Sequence, residues 1–96
     1  MALLDLLGRR WALRVLWELR GEGAAPTFRD LQAACGGISS SVLSERLREL
    51  RDAGIVAENE GRGYRLTGEG RELMRALAPL DAWAARWAER TGGATL

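Results

Sequence analysis

The stretch from Ile38 to Gly54, ISSSVLSERLRELRDAG, leaves the chain the least freedom, because both ends of a helix and the face it buries are written in it. Ser39 can accept a hydrogen bond from an amide of the first turn, and Gly54 can take the left-handed conformation that terminates a helix. Leu43, Leu47 and Leu50 then share one narrow stripe, the i, i+4, i+7 spacing of a helix packed on one side only. The opposite side carries Ser41, Ser44, Glu45, Arg48 and Asp52. Short hydroxyls let a backbone come close to phosphates, and a guanidinium one or two turns on reaches a base edge or a phosphate. Two readings fit such a face: a helix that enters the major groove of DNA, or a surface helix laced by i, i+4 ion pairs. The flanking segments have to decide.

Composition narrows the classes. With 96 residues the chain forms one domain and buries only about two-thirds of its unfolded surface, so burial shared with a second subunit would help it. Fourteen basic against thirteen acidic residues leave a net charge of +1, which by itself argues neither for nucleic acid nor against it. All the basic residues are arginine. There is no histidine and a single cysteine, Cys35, so neither a zinc site nor a histidine-dependent catalytic triad can be assembled, and an enzyme is not expected. No cofactor is implied. No apolar run reaches the length of a membrane span, and the N-terminus lacks the features of a secretory signal, so no membrane association and a cytoplasmic location are expected.

In chain order, Ala2 to Leu7 reads as a short apolar helix ending near Gly8, too short to persist unless Leu3 and Leu4 dock on a partner surface. From Arg9 or Arg10 to about Arg20 a second helix puts Trp11, Ala12, Val15, Leu16 and Leu19 toward the core and leaves Leu13 and Trp17 on its far side. Thr27 and Asp30 form a capping-box pattern ahead of a third helix that runs to about Cys35, with Phe28 and Leu31 as anchors. Gly36-Gly37 then turns into the Ile38 helix. Two helices joined by a glycine turn, the second polar-faced, match a helix-turn-helix.

Two β-compatible runs follow, Ile55-Val56-Ala57 and Tyr64-Arg65-Leu66, around the glycines of Glu60-Gly61-Arg62-Gly63. A hairpin placed there is a wing. Arg62 at its tip is either a minor-groove contact or a solvated turn residue, and Arg65 can hold a phosphate. Thr67 caps a last helix whose apolar positions, Leu73, Leu77, Leu80, Ala84 and Trp87, alternate in steps of four and three, with a kink expected at Pro79. At 1.5 Å per residue this helix reaches roughly 30 Å, more than a domain of this size covers with its own core. Trp83 and Trp87 therefore belong either to a two-fold dimer core, with Trp17 and the first helix, or to a pocket that stacks a flat apolar effector.

The wording of these motifs resembles the HxlR-type winged helix-turn-helix transcription regulators, relatives of the MarR group, over nearly the whole chain. The resemblance rests on Leu7-Gly8-Arg9-Arg10-Trp11, on Phe28 to Leu31, on GISSSVLSERLRELRDAGIV from Gly37 to Val56, and on Leu66-Thr67-Gly68-Glu69-Gly70. It implies a major-groove helix starting at the Ile-Ser step, a hairpin along the backbone, and terminal helices that make a homodimer on a palindromic operator. Carried over by position, Ser40, Ser41, Ser44, Glu45 and Arg48 face DNA, Arg46 and Arg51 lie nearer phosphates, Arg62 sits in the wing, and Thr27 and Arg29 add a backbone contact. Many such regulators sense electrophiles or oxidants through a cysteine before or within the first helix. This chain begins Met1-Ala2-Leu3-Leu4-Asp5 without one, and its wing is shorter than is usual in the family. Cys35, with no nearby group to lower its pKa, reads as structural.

The expectation is a mainly α winged helix-turn-helix domain over residues 1–96, with a small β-hairpin and N- and C-terminal dimerisation helices. It would bind a pseudo-palindromic double-stranded DNA operator as a homodimer, most often as a repressor, with a small aromatic effector as a variant of the same reading. The alternative from another class is a winged-helix protein-interaction module in which Glu45, Glu49 and Asp52 meet a partner protein.

Overall fold

A computed structural model describes residues 2–21 and 23–92. The chain forms α1 (Ala2–Leu7), α2 (Ala12–Glu18), α3 (Phe28–Cys35), α4 (Ser40–Asp52), β1 (Val56–Glu58), β2 (Tyr64–Leu66) and α5 (Gly68–Arg90) in that order. The two strands are antiparallel, with Val56 opposite Leu66, Ala57 opposite Arg65 and Glu58 opposite Tyr64. The architecture is mainly helical with one hairpin, a winged helix-turn-helix.

Local chemistry fixes the boundaries. The capping box closes in both directions: the Asp30 amide donates to Thr27 Oγ1 at 3.1 Å, and the Thr27 amide donates to Asp30 Oδ2 at 3.0 Å. Ser39 Oγ accepts from the Val42 amide at 3.2 Å, and Gly54 ends α4 with φ of 76°, a conformation that costs a glycine little. Ile38, just before the Ser39 cap, and Leu43, four residues after it, are both buried, pinning the entry of α4 as a hydrophobic staple. Thr67 Oγ1 accepts from the Gly70 amide at 3.1 Å and donates back to the Gly54 carbonyl at 2.6 Å. One hydroxyl thus caps α5 and ties its start to the end of α4.

The core is the sum of the buried faces. Val15, Leu16 and Leu19 of the α2 region meet Leu31 and Cys35 of α3, the Leu43, Leu47 and Leu50 stripe of α4, and Ile55, Val56 and Leu66 of the hairpin. Each fully buried leucine contributes about 1.5–3 kcal/mol of transfer free energy, so this cluster is what holds the helix-turn-helix together.

Two sequence expectations change. The second helix starts at Ala12, not at Arg9 or Arg10, because Trp11 stands in the left-handed region with φ of 77° and caps nothing with its side chain. Trp11 still packs against the core, from a turn rather than a helical stripe. The first strand starts at Val56, with Ile55 outside the ladder, its amide spent on the Leu50 carbonyl. Pro79, where a kink is expected, lies inside α5, which continues past it to Arg90. A proline deletes one backbone donor, and both Pro79 and Arg75, whose carbonyl would have accepted it, are exposed to water.

Candidate nucleic-acid interface

The Gly36-Gly37 turn, with φ of 56° and 102°, sets α3 behind α4, so that burial of the leucine stripe forces the other side of α4 outward. Ser40, Ser41, Ser44, Glu45 and Arg48 are all exposed there, as the sequence stripe requires. Thr27 and Arg29, at the start of α3, are exposed as well, though the Thr27 hydroxyl is spent on its cap. No helix among the described residues is long and apolar enough to cross a membrane.

The arginines on this face differ sharply in how they are held. Arg48 lies between two carboxylates, bonding Glu45 one turn before it and Asp52 at 3.0 Å one turn after it. The hydrogen bond from Arg48 holds the Glu45 carboxyl below the usual carboxylate range, and the same bond raises Arg48 above the usual guanidinium value. Its side chain is 53% exposed, so these are surface pairs screened by water. A base edge or phosphate can displace them at small cost.

Arg46, expected nearer the phosphates, is 15% exposed and bonds Glu49 at 2.7 Å, with its Nε buried and unpartnered. Glu49 also holds Arg9 at 3.2 Å. This triad straps the α1–α2 junction to α4 and turns Arg46 inward. Arg51 bonds Glu58 at 2.7 Å and so joins the end of α4 to the first strand of the wing.

The wing is tightened by Asn59, a residue the sequence patterns did not single out. Its amide donates to the Gly63 carbonyl at 2.9 Å, its carbonyl accepts from the Arg62 amide at 2.7 Å, and its Oδ1 accepts from Arg65 Nε at 2.9 Å. The clue available was an asparagine two residues ahead of a glycine, a common turn signal. The Arg62 side chain, by contrast, is exposed at the tip and has no ion pair or hydrogen bond among the described residues. The Tyr64 amide donates to the Pro26 carbonyl at 2.9 Å, clamping the wing to the strand-like approach to α3.

Behind the interface lies the expected apolar surface. Every residue of α1 is at least partly exposed, and α5 fully buries only Gly70 along 23 residues. Among the described residues, Leu3, Leu4, Leu13, Trp17, Leu80 and Trp83 are the large exposed apolar side chains. Leu77 and Trp87 are half-buried. Leu73, expected at the subunit interface, is half-buried and packs with Met74 against the core of its own chain. Trp83 and Trp87 stack with ring centroids 6.0 Å apart and planes 10° from parallel. A groove of about 790 Å³ runs between α2 and α5, lined in part by Leu13, Trp17, Met74, Leu77 and Leu80.

Comparison with known proteins places this arrangement. The HxlR-like helix-turn-helix family matches residues 6–92. An HTH-type transcriptional regulator of Bacillus subtilis, YvaP, is 34% identical over 89 residues, covering 86% of this chain and 81% of its own length. The crystal structure of a possible HxlR family transcriptional factor from Thermoplasma volcanium superposes with a TM-score of 0.80 at 30% identity, over 90% of this chain and 81% of the other. Quinone-bound YodB from B. subtilis superposes with a TM-score of 0.79 at 29% identity, over 88% of this chain and 92% of the other.

Proposed function

Because the chain belongs to the HxlR-like helix-turn-helix family of DNA-binding transcriptional regulators, not enzymes, we propose that it acts as a homodimeric repressor on a pseudo-palindromic operator. The observation that carries the dimer is α5, a 23-residue helix with a single buried residue and a seam of leucines and tryptophans left uncovered. A second copy buries that seam, with α1 and Trp17 at its edge. The two-fold axis then presents two α4 helices to successive major grooves, with half-sites about one helical turn, roughly 34 Å, apart.

Within each half-site, Ser40, Ser41 and Ser44 bring the backbone of α4 close to phosphates, and Arg48 exchanges Glu45 and Asp52 for a base edge. Glu45 is left to accept from a cytosine amino group. Arg62 enters the neighbouring minor groove, while Arg29, Thr27 and Arg51 sit against the backbone. Arg46 serves the Glu49 strap. A dimer seated across a promoter represses by occupying it, in the cytoplasm where the chromosome lies. Cys35 cannot form a ready adduct with a quinone, since burial raises its thiol pKa and only 5% of the residue is exposed. An aromatic effector of this chain would bind without a covalent bond, in the tryptophan-lined interface.

The test is a titration against duplex DNA from the region upstream of its own gene and a scrambled duplex, at two salt concentrations. Tight, salt-sensitive binding to the upstream duplex alone is the expected result. Absence of binding to any duplex at low salt would shift the reading to a protein-interaction module.

A further inference from the structure

Among the described residues, salt bridges engage Arg9, Arg14, Arg46, Arg48 and Arg51 with carboxylates. Arg20, Arg65 and Arg71 are held differently, and all three line one recess of about 390 Å³ between the end of α2, the wing and the first turn of α5. Arg20 donates to the Trp17 carbonyl at 2.8 Å, with its guanidinium 3.6 Å from the Trp17 ring centroid. Arg65 donates to Asn59 Oδ1 at 2.9 Å, and Arg71 to the Leu66 carbonyl at 3.0 Å. Each guanidinium is thus oriented by a neutral acceptor through one of its five N–H donors. None of the three has a carboxylate partner among the described residues.

A recess lined by three arginines without a carboxylate partner among the described residues is short of negative charge, and forked guanidinium donors suit oxyanions. We propose that this recess binds a small multivalent oxyanion, a di- or tricarboxylate or a phosphorylated metabolite. Its lining includes Leu19 and Leu66, which are 2% and 4% exposed, so the site has an apolar floor beneath its charged rim. No lining residue comes from α3 or α4, which sets it apart from the recognition face. Arg65, expected from the sequence to hold a DNA phosphate, belongs to this site instead. Because Arg65 and Asn59 are wing residues, an anion that joins them to Arg20 and Arg71 ties the wing to α2 and α5. This regulatory consequence, though not the binding, rests on the DNA-binding reading above.

The experiment is isothermal titration of the full chain with citrate and, separately, inorganic phosphate at low ionic strength and without DNA. It is repeated with Arg20→Gln, Arg71→Gln and, as a charge-matched control at the far end of α5, Arg90→Gln. Saturable binding is expected, weakened at least about tenfold by either recess variant and unchanged by the control. In the wild-type chain the Arg65 Nε–H resonance should shift with the same saturation curve. Urea unfolding midpoints equal to wild type establish that the variants fold. No saturable binding of either anion, or an equal loss in Arg90→Gln, overturns the proposal. Should neither anion bind while Arg20→Gln and Arg71→Gln weaken duplex binding, the recess holds DNA phosphates and the proposal falls. Since the titration contains no DNA, its failure is separate from failure of the operator reading.

Discussion

At Arg48 the side chain proposed to read a base is held between two carboxylates, and this has a measurable consequence. Arg48→Ala removes a guanidinium that pairs with Glu45 and Asp52 in the free protein, and because the pairs are exposed the urea midpoint should stay close to wild type. Its effect on operator binding should be larger, about 1–3 kcal/mol, with discrimination lost at one base position per half-site. Arg62→Ala should weaken all duplexes alike and reduce the salt slope of binding, a pattern that separates a backbone or groove contact from base readout. Binding curves for both variants, on the operator and on single-base changes of it, check the assignment; indifference to both substitutions would remove these roles. Gly70 shows the opposite kind of residue, with no surface role and little tolerance. A Cβ there would collide with the Ile55 carbonyl, so Gly70→Ala should lower the urea midpoint by the equivalent of about 1–3 kcal/mol at unchanged slope.

Among the elements, α3 carries its own pH signature. Hydrogen bonds from the Thr27 backbone and then its hydroxyl hold the Asp30 carboxyl below the ordinary value of 3.8. The folded pKa lies below the unfolded one, so the stabilisation is complete above the unfolded value and disappears as pH falls through the folded value. A carboxyl-detected NMR titration should find Asp30 ionised below the usual aspartate range, with Thr27→Ala narrowing the depression. An ordinary titration midpoint in the wild-type protein would show that the capping box is open in solution. The wing is the contrasting element: three residues per strand are too few to stand alone. It persists because Tyr64 bonds Pro26, Arg51 bonds Glu58, and Val56 and Leu66 plug into the helical core.

For the whole molecule, the proposal of a dimer turns on α5 and α1. Trp83→Glu places a charge in the stacked tryptophan pair, far from the core cluster, and should shift sedimentation from dimer to monomer while leaving the far-ultraviolet spectrum of the folded chain in place. The variant should also lose operator affinity, because a single half-site has none of the gain from tethering two. A wild-type chain that sediments as a monomer at micromolar concentration would overturn the dimer and leave the apolar face for another partner.

Features that rest on neighbours within a turn or two were legible in the amino-acid order alone. Ser39, Thr27 with Asp30, Thr67 and Gly54 announced their helix ends, and the Leu43, Leu47, Leu50 stripe announced which side of α4 faces out. Those signals depend on hydrogen bonds and periodicities spanning a few residues, and no distant contact overrode them. Tertiary structure decided what distant segments do to one another. It drew Arg46 inward onto a Glu49 already shared with Arg9, packed Leu73 against its own core, and left Trp11 in a left-handed turn with its indole partly buried against that core. It also gathered Arg20, Arg65 and Arg71, residues up to 51 positions apart, around a single recess. Local spacing encodes the face a helix shows, but only packing fixes which charges on separate elements end up facing a carboxylate and which face open space.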